Sequence, residues 1–326
     1  MNEKALKKTA DAIREGEEIV IFSHVLPDGD CLGSALGLGL ALRELGKKVW
    51  LVNSDPVPGL YQFLPGWETF RSSLDGVGSR PTVIAVDCSD PRRVGDTFSP
   101  YLTTSSGIIN IDHHVSNEQF GAVNFVVPEA SSTGELVYRL LQELNAAITP
   151  GVATALYTAV VTDTGSFQYE NVRPATLKIA AELMECGADL RAIRKNLWET
   201  KSLLSVRLLG RALNDLSFAA SGRIAWLKVS YQLQRELGAT DDDIEGLINY
   251  PRSIEGVEIG LLFRELKPGV VKVGLRSKTW ADVNLLAARF GGGGHPRAAG
   301  CVVEGELEKV IAQVVSAAQE TLTGRG

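Results

Sequence analysis

Four short stretches of this chain gather residue types suited to holding cations. HVLPDGD carries His24, Asp28 and Asp30, VDCSD carries Asp87 and Asp90, IDHH sets Asp112 before His113 and His114, and TDTGSF contains Asp163. The chain has only four histidines, and three of them fall in these stretches. Imidazole and carboxylate donors without thiolates suit Mn²⁺, or Mg²⁺, Co²⁺ or Fe²⁺, rather than a structural zinc site. Six candidate ligands are too many for one ion that keeps open positions. Two ions about 3.5 to 4 Å apart with a bridging carboxylate would use them, and such a pair activates water and clamps the oxygens of a phosphoryl centre. The chemistry implied is metal-assisted phosphoester hydrolysis.

Each stretch alone has a plainer reading. Asp30 could cap a helix, and PDG reads as an ordinary turn. An EF-hand loop is excluded because Gly39 stands where its twelfth-position glutamate belongs. A P-loop is excluded because no Gly-Lys-Ser/Thr follows. It is the coincidence of the four stretches that carries weight.

The elements that must position them are legible as patterns. EEIVIFSHV, KKVWLVNS, PTVIAVDCS and GIINIDHH predict strands, while LGSALGLGLALRELG, STGELVYRLLQELN and PGVATALYTAVVTDTG predict helices. Their alternation predicts a parallel sheet with crossover helices. His24, Asp28, Asp30, Asp87, Asp90 and Asp112 to His114 then fall at or just beyond the C-terminal ends of strands, the edge where open α/β sheets bind ligands. Residues from about 173 to 217 read as helical. RIAWLKVS, VEIGLLFREL and VVKVGLRSK predict further strands, NLLAARFGGGG a short helix running into a glycine loop, and LEKVIAQVVSAAQETL a closing helix. The fold class is therefore α/β. A parallel-sheet catalytic domain over 1–190 is joined by a helical connector, 191–217, to a smaller α+β domain over 218–326, with no internal repeat.

Composition agrees with a folded protein: 44% apolar and 22% charged residues, with a net charge of −6 that does not suit a surface tracking long nucleic acid. The first residues lack the continuous apolar core of a signal peptide, and the apolar run from Ala35 to Leu42 is too short to span a bilayer, so a cytoplasmic protein without membrane attachment is expected. Cys31, Cys88, Cys186 and Cys301 form no C-x-x-C pair and read as reduced thiols.

A metal pair ringed by aspartates leaves an anionic substrate in need of cationic help. Between Arg264 and Arg297 seven Lys or Arg stand against two acidic residues. Within that stretch, Arg276 and Ser277 in VGLRSK and Gly293, Gly294, His295 and Arg297 in FGGGGHPRAAG combine cations with backbone N–H groups able to meet phosphate. A glycine-rich turn with no ligand is the plainer alternative.

Together these motifs resemble the DHH phosphoesterase superfamily, whose triplet stands here as Asp112, His113 and His114, and more closely its nano-RNase and 3′-phosphoadenosine 5′-phosphate phosphatase branch. SHVLPDGDCLGSALGL, VDCSD, NIDHH and TDTGSF resemble its first four motifs in order, and FGGGGHPRAAG resembles the signature of the DHH-associated C-terminal domain. The resemblance implies that His24, Asp28, Asp30, Asp87, His113 and Asp163 bind two divalent ions, most simply Mn²⁺, with Asp87 bridging. It implies that His114 contacts the scissile phosphate, that Arg276, Ser277, Gly293, Gly294, His295 and Arg297 bind substrate between the domains, and that Asp112, and similarly Asp90, orients a histidine. Cys31 and Cys88, beside ligands, are expected to be packing thiols open to oxidation. The expected activity is hydrolysis of short single-stranded oligonucleotides to nucleoside 5′-monophosphates, with action on 3′-phosphoadenosine 5′-phosphate beside it, by a homodimer. Phosphodiesterase action on cyclic or linear dinucleotides is the alternative within the same chemistry. A catalytically silent nucleotide-binding regulator is the alternative from another class. A processive exonuclease of long single strands fits the acidic balance less well.

Overall fold

The computed structural model of the chain describes residues 3–105, 107–244 and 246–324. The chain divides after Thr200 into two compact units. Among the described residues no helix is long and apolar enough to cross a membrane.

The first unit is built on a six-stranded, wholly parallel sheet. Its strands are β1 (Glu18–Phe22), β2 (Lys48–Val52), β3 (Phe70–Arg71), β4 (Thr82–Val86), β5 (Ile109–Asp112) and β6 (Val123–Val126), in the spatial order β3-β2-β1-β4-β5-β6. The short β3 and the polar-flanked β6 carry too little apolar pattern to stand out in the sequence. The central strands are buried on both faces, as a sheet covered by crossover helices requires. Alternate residues divide between two cores: Ile19, Ile21, Ile84 and Val86 face one layer, Val20, Phe22, Val83 and Ala85 the other.

Three helices of the first core determine where the site forms. Gly29–Glu44 is capped by Asp28, Thr133–Glu143 by Ser132, and Pro150–Asp163 by Thr149 with proline in the first turn. They pack unusually close because glycine stands at the crossings. A Cβ on Gly33 would lie 2.4 Å from the Ala155 carbonyl oxygen, and one on Gly134 would lie 2.5 Å from the Ala159 methyl. The helix Gly29–Glu44 is buried over nearly its whole surface, which explains why its apolar pattern runs on continuously instead of forming a stripe.

The second unit opens with the helix Leu203–Asn214, whose Leu208 and Ala212 join a core with Leu227, Val229, Leu247 and Leu262. Its mixed sheet contains β7 (Ser217–Ala219), β8 (Ile224–Val229), β9 (Ile259–Lys267), β10 (Val270–Ser277), β11 (Gly293–His295) and β12 (Ala298–Glu304), ordered β11-β12-β10-β9-β8-β7. Among the described residues only β8 and β9 run parallel, and three short helices between them make the crossover. The stretch expected as a glycine loop is in part a hairpin: β11 pairs with β12, Gly293 opposite Gly300 and His295 opposite Ala298. Glycine and alanine have low intrinsic strand preference, so this pairing comes from the neighbouring β10 rather than from local pattern.

Candidate metal centre

The strand order reverses at β1. The chain passes from β1 to β2 on one side and returns to β4 on the other, so the C-terminal ends of β1 and β4 open a crevice between them. His24 follows β1, Asp87 follows β4, and the helix Gly29–Glu44 starts beneath with Asp28 as its cap and Asp30 in its first turn. His113 and His114 follow β5, and Asp163 ends the helix Pro150–Asp163. Five elements thus deliver side chains to one place.

Asp87 stands at its centre. One carboxylate oxygen, Oδ2, is 3.3 Å from Nε2 of His24; the other, Oδ1, is 3.8 Å from Nε2 of His113 and 3.6 Å from Nδ1 of His114. Its backbone has φ of 58°, in the left-handed region that non-glycine residues seldom adopt, so its placement holds against a local conformational preference. On one side, His24 gives Nδ1 to the Val25 carbonyl at 2.8 Å and turns Nε2 toward Asp28 at 3.7 Å. On the other, Nε2 of His113 lies 3.6 Å from Asp30 and 3.5 Å from Asp163. Ligand atoms of Asp30, His113 and Asp163 all fall within 4.8 Å of one another.

The titration of the cluster records how much negative charge is packed there. Burial pushes the Asp30 carboxyl well above its ordinary range, and the charges of Asp87 and Asp163 push it further. Asp163 is raised to about 6 by burial and by Asp87 and Asp28, against the pull of His113. Burial would raise Asp87 too, but the hydrogen bond with His24 and the three histidine charges hold it far below the carboxylate range. Buried carboxylates that repel one another beside outward-facing imidazole nitrogens are a donor set that fits divalent cations.

Asp28, not Asp30, is the helix cap, accepting from the Cys31 N–H at 3.0 Å. Asp30 reaches across to the next helix instead, taking the N–H groups of Thr133 at 2.7 Å and Gly134 at 2.9 Å. The close glycine crossings make that reach possible. Cys31 and Cys88 are fully buried, and burial pushes both thiols up, so they pack as neutral groups shielded from oxidation.

In the second unit, Arg276 and Ser277 end β10, while His295 ends β11 and Arg297 lies in the turn of the β11–β12 hairpin. The register places Arg276 opposite Ala298, and the Ser277 N–H donates to the Arg297 carbonyl at 3.1 Å. All four residues therefore gather at one end of this sheet, together with Gly293 and Gly294 on β11. That strand is an edge, so its outward backbone groups have no strand partner.

Comparison with known proteins matches residues 18–160 to the DHH family, N-terminal domain, and residues 227–324 to the DHHA1 domain. A Thermus thermophilus protein named bifunctional oligoribonuclease and PAP phosphatase NrnA is 35% identical over 311 residues, which cover 94% of this chain and 91% of that one. The chain belongs to the DHH family. A Bacillus subtilis protein of the same name is 29% identical, over 93% of this chain and 96% of that one. The crystal structure of an exopolyphosphatase-related protein from Bacteroides fragilis shares the fold with a TM-score of 0.88 at 29% identity, covering 98% of this chain and 96% of that one.

Within the DHH triplet, the three residues take different positions. Asp112 is fully buried and accepts from Nδ1 of His114 at 2.7 Å and from Asn117 at 2.6 Å. That contact fixes the His114 ring and, with burial opposing and Asp112 and Asp87 prevailing, raises it to about 9. Asn117 also donates to Asn110 at 2.8 Å and to the Cys88 carbonyl at 3.1 Å, tying the DHH loop to the turn after β4. Asp90 has another task than the expected orienting of a histidine: it caps the turn at 91–94 and binds the Arg92 N–H and guanidinium. Sequence reading missed Asn110, Asn117 and Thr133. Thr133 gives its hydroxyl to Asp87 at 2.8 Å while its N–H holds Asp30. A buried asparagine inside the apolar β5 is a signal for the first of these; nothing local marks Thr133 as more than a helix start.

Proposed function

We propose that this DHH protein is a divalent-metal-dependent phosphoesterase that hydrolyses short oligonucleotides to nucleoside 5′-monophosphates and 3′-phosphoadenosine 5′-phosphate to AMP. One observation carries the reading: Asp87 divides its two oxygens between two separate sets of His and Asp donors. The substrate class rests on the relatives named oligoribonuclease and PAP phosphatase.

His24, Asp28 and Asp87 would hold one ion and Asp30, His113 and Asp163 the other with Asp87 between, and the pair, most simply Mn²⁺, would supply Lewis-acid assistance at a phosphoryl centre. The chain's own residues do the rest. Thr133 keeps the Asp87 carboxylate turned between the two donor sets. Asp112 holds Nδ1 of His114, so that Nε2 is the nitrogen that would meet the scissile phosphate. Arg276, Gly293, Gly294, His295 and Arg297 would bind the anionic substrate through guanidinium, imidazole and backbone N–H groups, and Ser277 through its hydroxyl. We place the protein in the cytoplasm, whose reducing poise suits its unpaired thiols, and take it to work as a homodimer. The proposed domains follow the sequence reading: catalytic over 1–190, connector over 191–217, substrate-binding over 218–326.

The test is a substrate panel with Mn²⁺. A labelled dinucleotide should disappear faster than a long single strand, and 3′-phosphoadenosine 5′-phosphate should release phosphate. A long strand degraded at an equal or higher rate would remove the short-substrate claim. Turnover of cyclic dinucleotides alone would move the protein to that branch, and no turnover of any substrate would make it a silent binder.

A further inference from the structure

In the second unit, the segment after β10 displays an aromatic ring on an unusually rigid mount. Trp280 is 52% exposed, a large apolar surface left to water within the basic stretch of the chain. A flexible loop would let such a ring fold back; this one is held on two sides. Glu258, buried at the entrance to β9, accepts the backbone N–H groups of Thr279 at 3.1 Å, Trp280 at 2.8 Å and Ala281 at 2.8 Å, and the Thr279 hydroxyl at 2.5 Å. Burial alone would raise that carboxyl, yet its donors keep it below its ordinary value. On the other side Arg297 donates to the Ala281 carbonyl at 2.9 Å, and the Val283 N–H donates to the Pro296 carbonyl at 2.9 Å. The segment that carries the indole is thus stitched directly to the turn that carries His295 and Arg297.

We propose that Trp280 is a stacking platform for a nucleobase, placed beside the phosphate-binding groups so that the C-terminal unit selects nucleotides over other phosphate esters. The proposal rests on the nucleotide-directed function given above. Aromatic faces suit bases without reading their sequence, and a ring carried on a fixed backbone loses less freedom on binding than one on a flexible loop. The structure accordingly assigns Arg276, His295 and Arg297 to the phosphate and Trp280 to the base.

Binding measurements separate the two roles without needing turnover. With the Mn²⁺-loaded full-length protein, AMP should bind at least about tenfold tighter than ribose 5-phosphate, which has the same phosphate and sugar without the base. Trp280→Ala should erase that gap while leaving ribose 5-phosphate affinity unchanged, and Trp280→Phe should keep most of it. Trp280→Leu, apolar but not aromatic, should behave like the alanine variant and serves in its place should that variant fold poorly. A gap that survives in Trp280→Leu, or no gap in the unmodified protein, overturns the proposal. Absence of dinucleotide cleavage by the unmodified protein would overturn the proposed function instead, with the AMP comparison still deciding the stacking.

Discussion

The two units gather chemistry by opposite means. In the first, charged groups are buried at the reversal point of a parallel sheet, crowded until carboxylates repel, with one of them held in a left-handed backbone. In the second, arginine, histidine and glycine gather at the end of a mixed sheet beside an exposed indole. Under the proposed function, the difference follows from what each would hold. A small divalent ion needs several donors fixed around a point, and preorganising like charges costs stability that only a packed core supports. A phosphate ester is large and would arrive from water, to be met by cations and by edge backbone groups.

If that contrast is right, substitutions in the two units should fail differently. The largest effect is expected at the shared carboxylate: Asp87→Ala should lower turnover on the order of 10³-fold or more and reduce bound Mn²⁺, measured as metal content after dialysis. Normal metal content in that variant would remove the central role given to Asp87. Next comes Asp112→Ala, which leaves every proposed ligand in place but frees the His114 ring. A loss of about 10- to 100-fold in kcat with unchanged metal content is expected, as for other residues that orient a neighbour of the metal. Loss of metal would instead make Asp112 part of the metal centre. The smallest effect belongs to the second unit. Arg297→Ala should raise KM about tenfold and leave kcat and metal content near those of the unmodified protein. A fall in kcat alone would place that arginine with the transition state and blur the division.

Much of this was legible in advance where chemistry coincides with local pattern. An aspartate or histidine closing an apolar strand is visible as a break in hydropathy, which is why VDCSD and IDHH stood out, and why the alternation of strands and helices announced a parallel sheet. The hairpin at Gly293–His295 and Ala298–Glu304 was not legible, because its residues have no strand preference of their own and pair only when β10 lies alongside. The crossover helices between β8 and β9 are too short to show a period. Asp30 leaves the cap to Asp28 for a reason no window of sequence contains: the helix that begins at Thr133 comes close enough for Asp30 to take its first N–H groups.

By itself, the sequence determined which donor types the protein possesses, the order in which strands present them, and the local basic stretch between Arg264 and Arg297. The tertiary structure decided the rest. Strand order placed the ends of β1, β4 and β5 side by side, and glycine crossings let three helices approach until Thr133 could bind Asp87 and Asp30 together. A turn after β4 bent Asp87 into the position where its two oxygens face different donors. Residue type and period are local properties written into the chain, whereas the meeting of residues far apart in sequence depends on how packed elements settle against one another, and only folding supplies that.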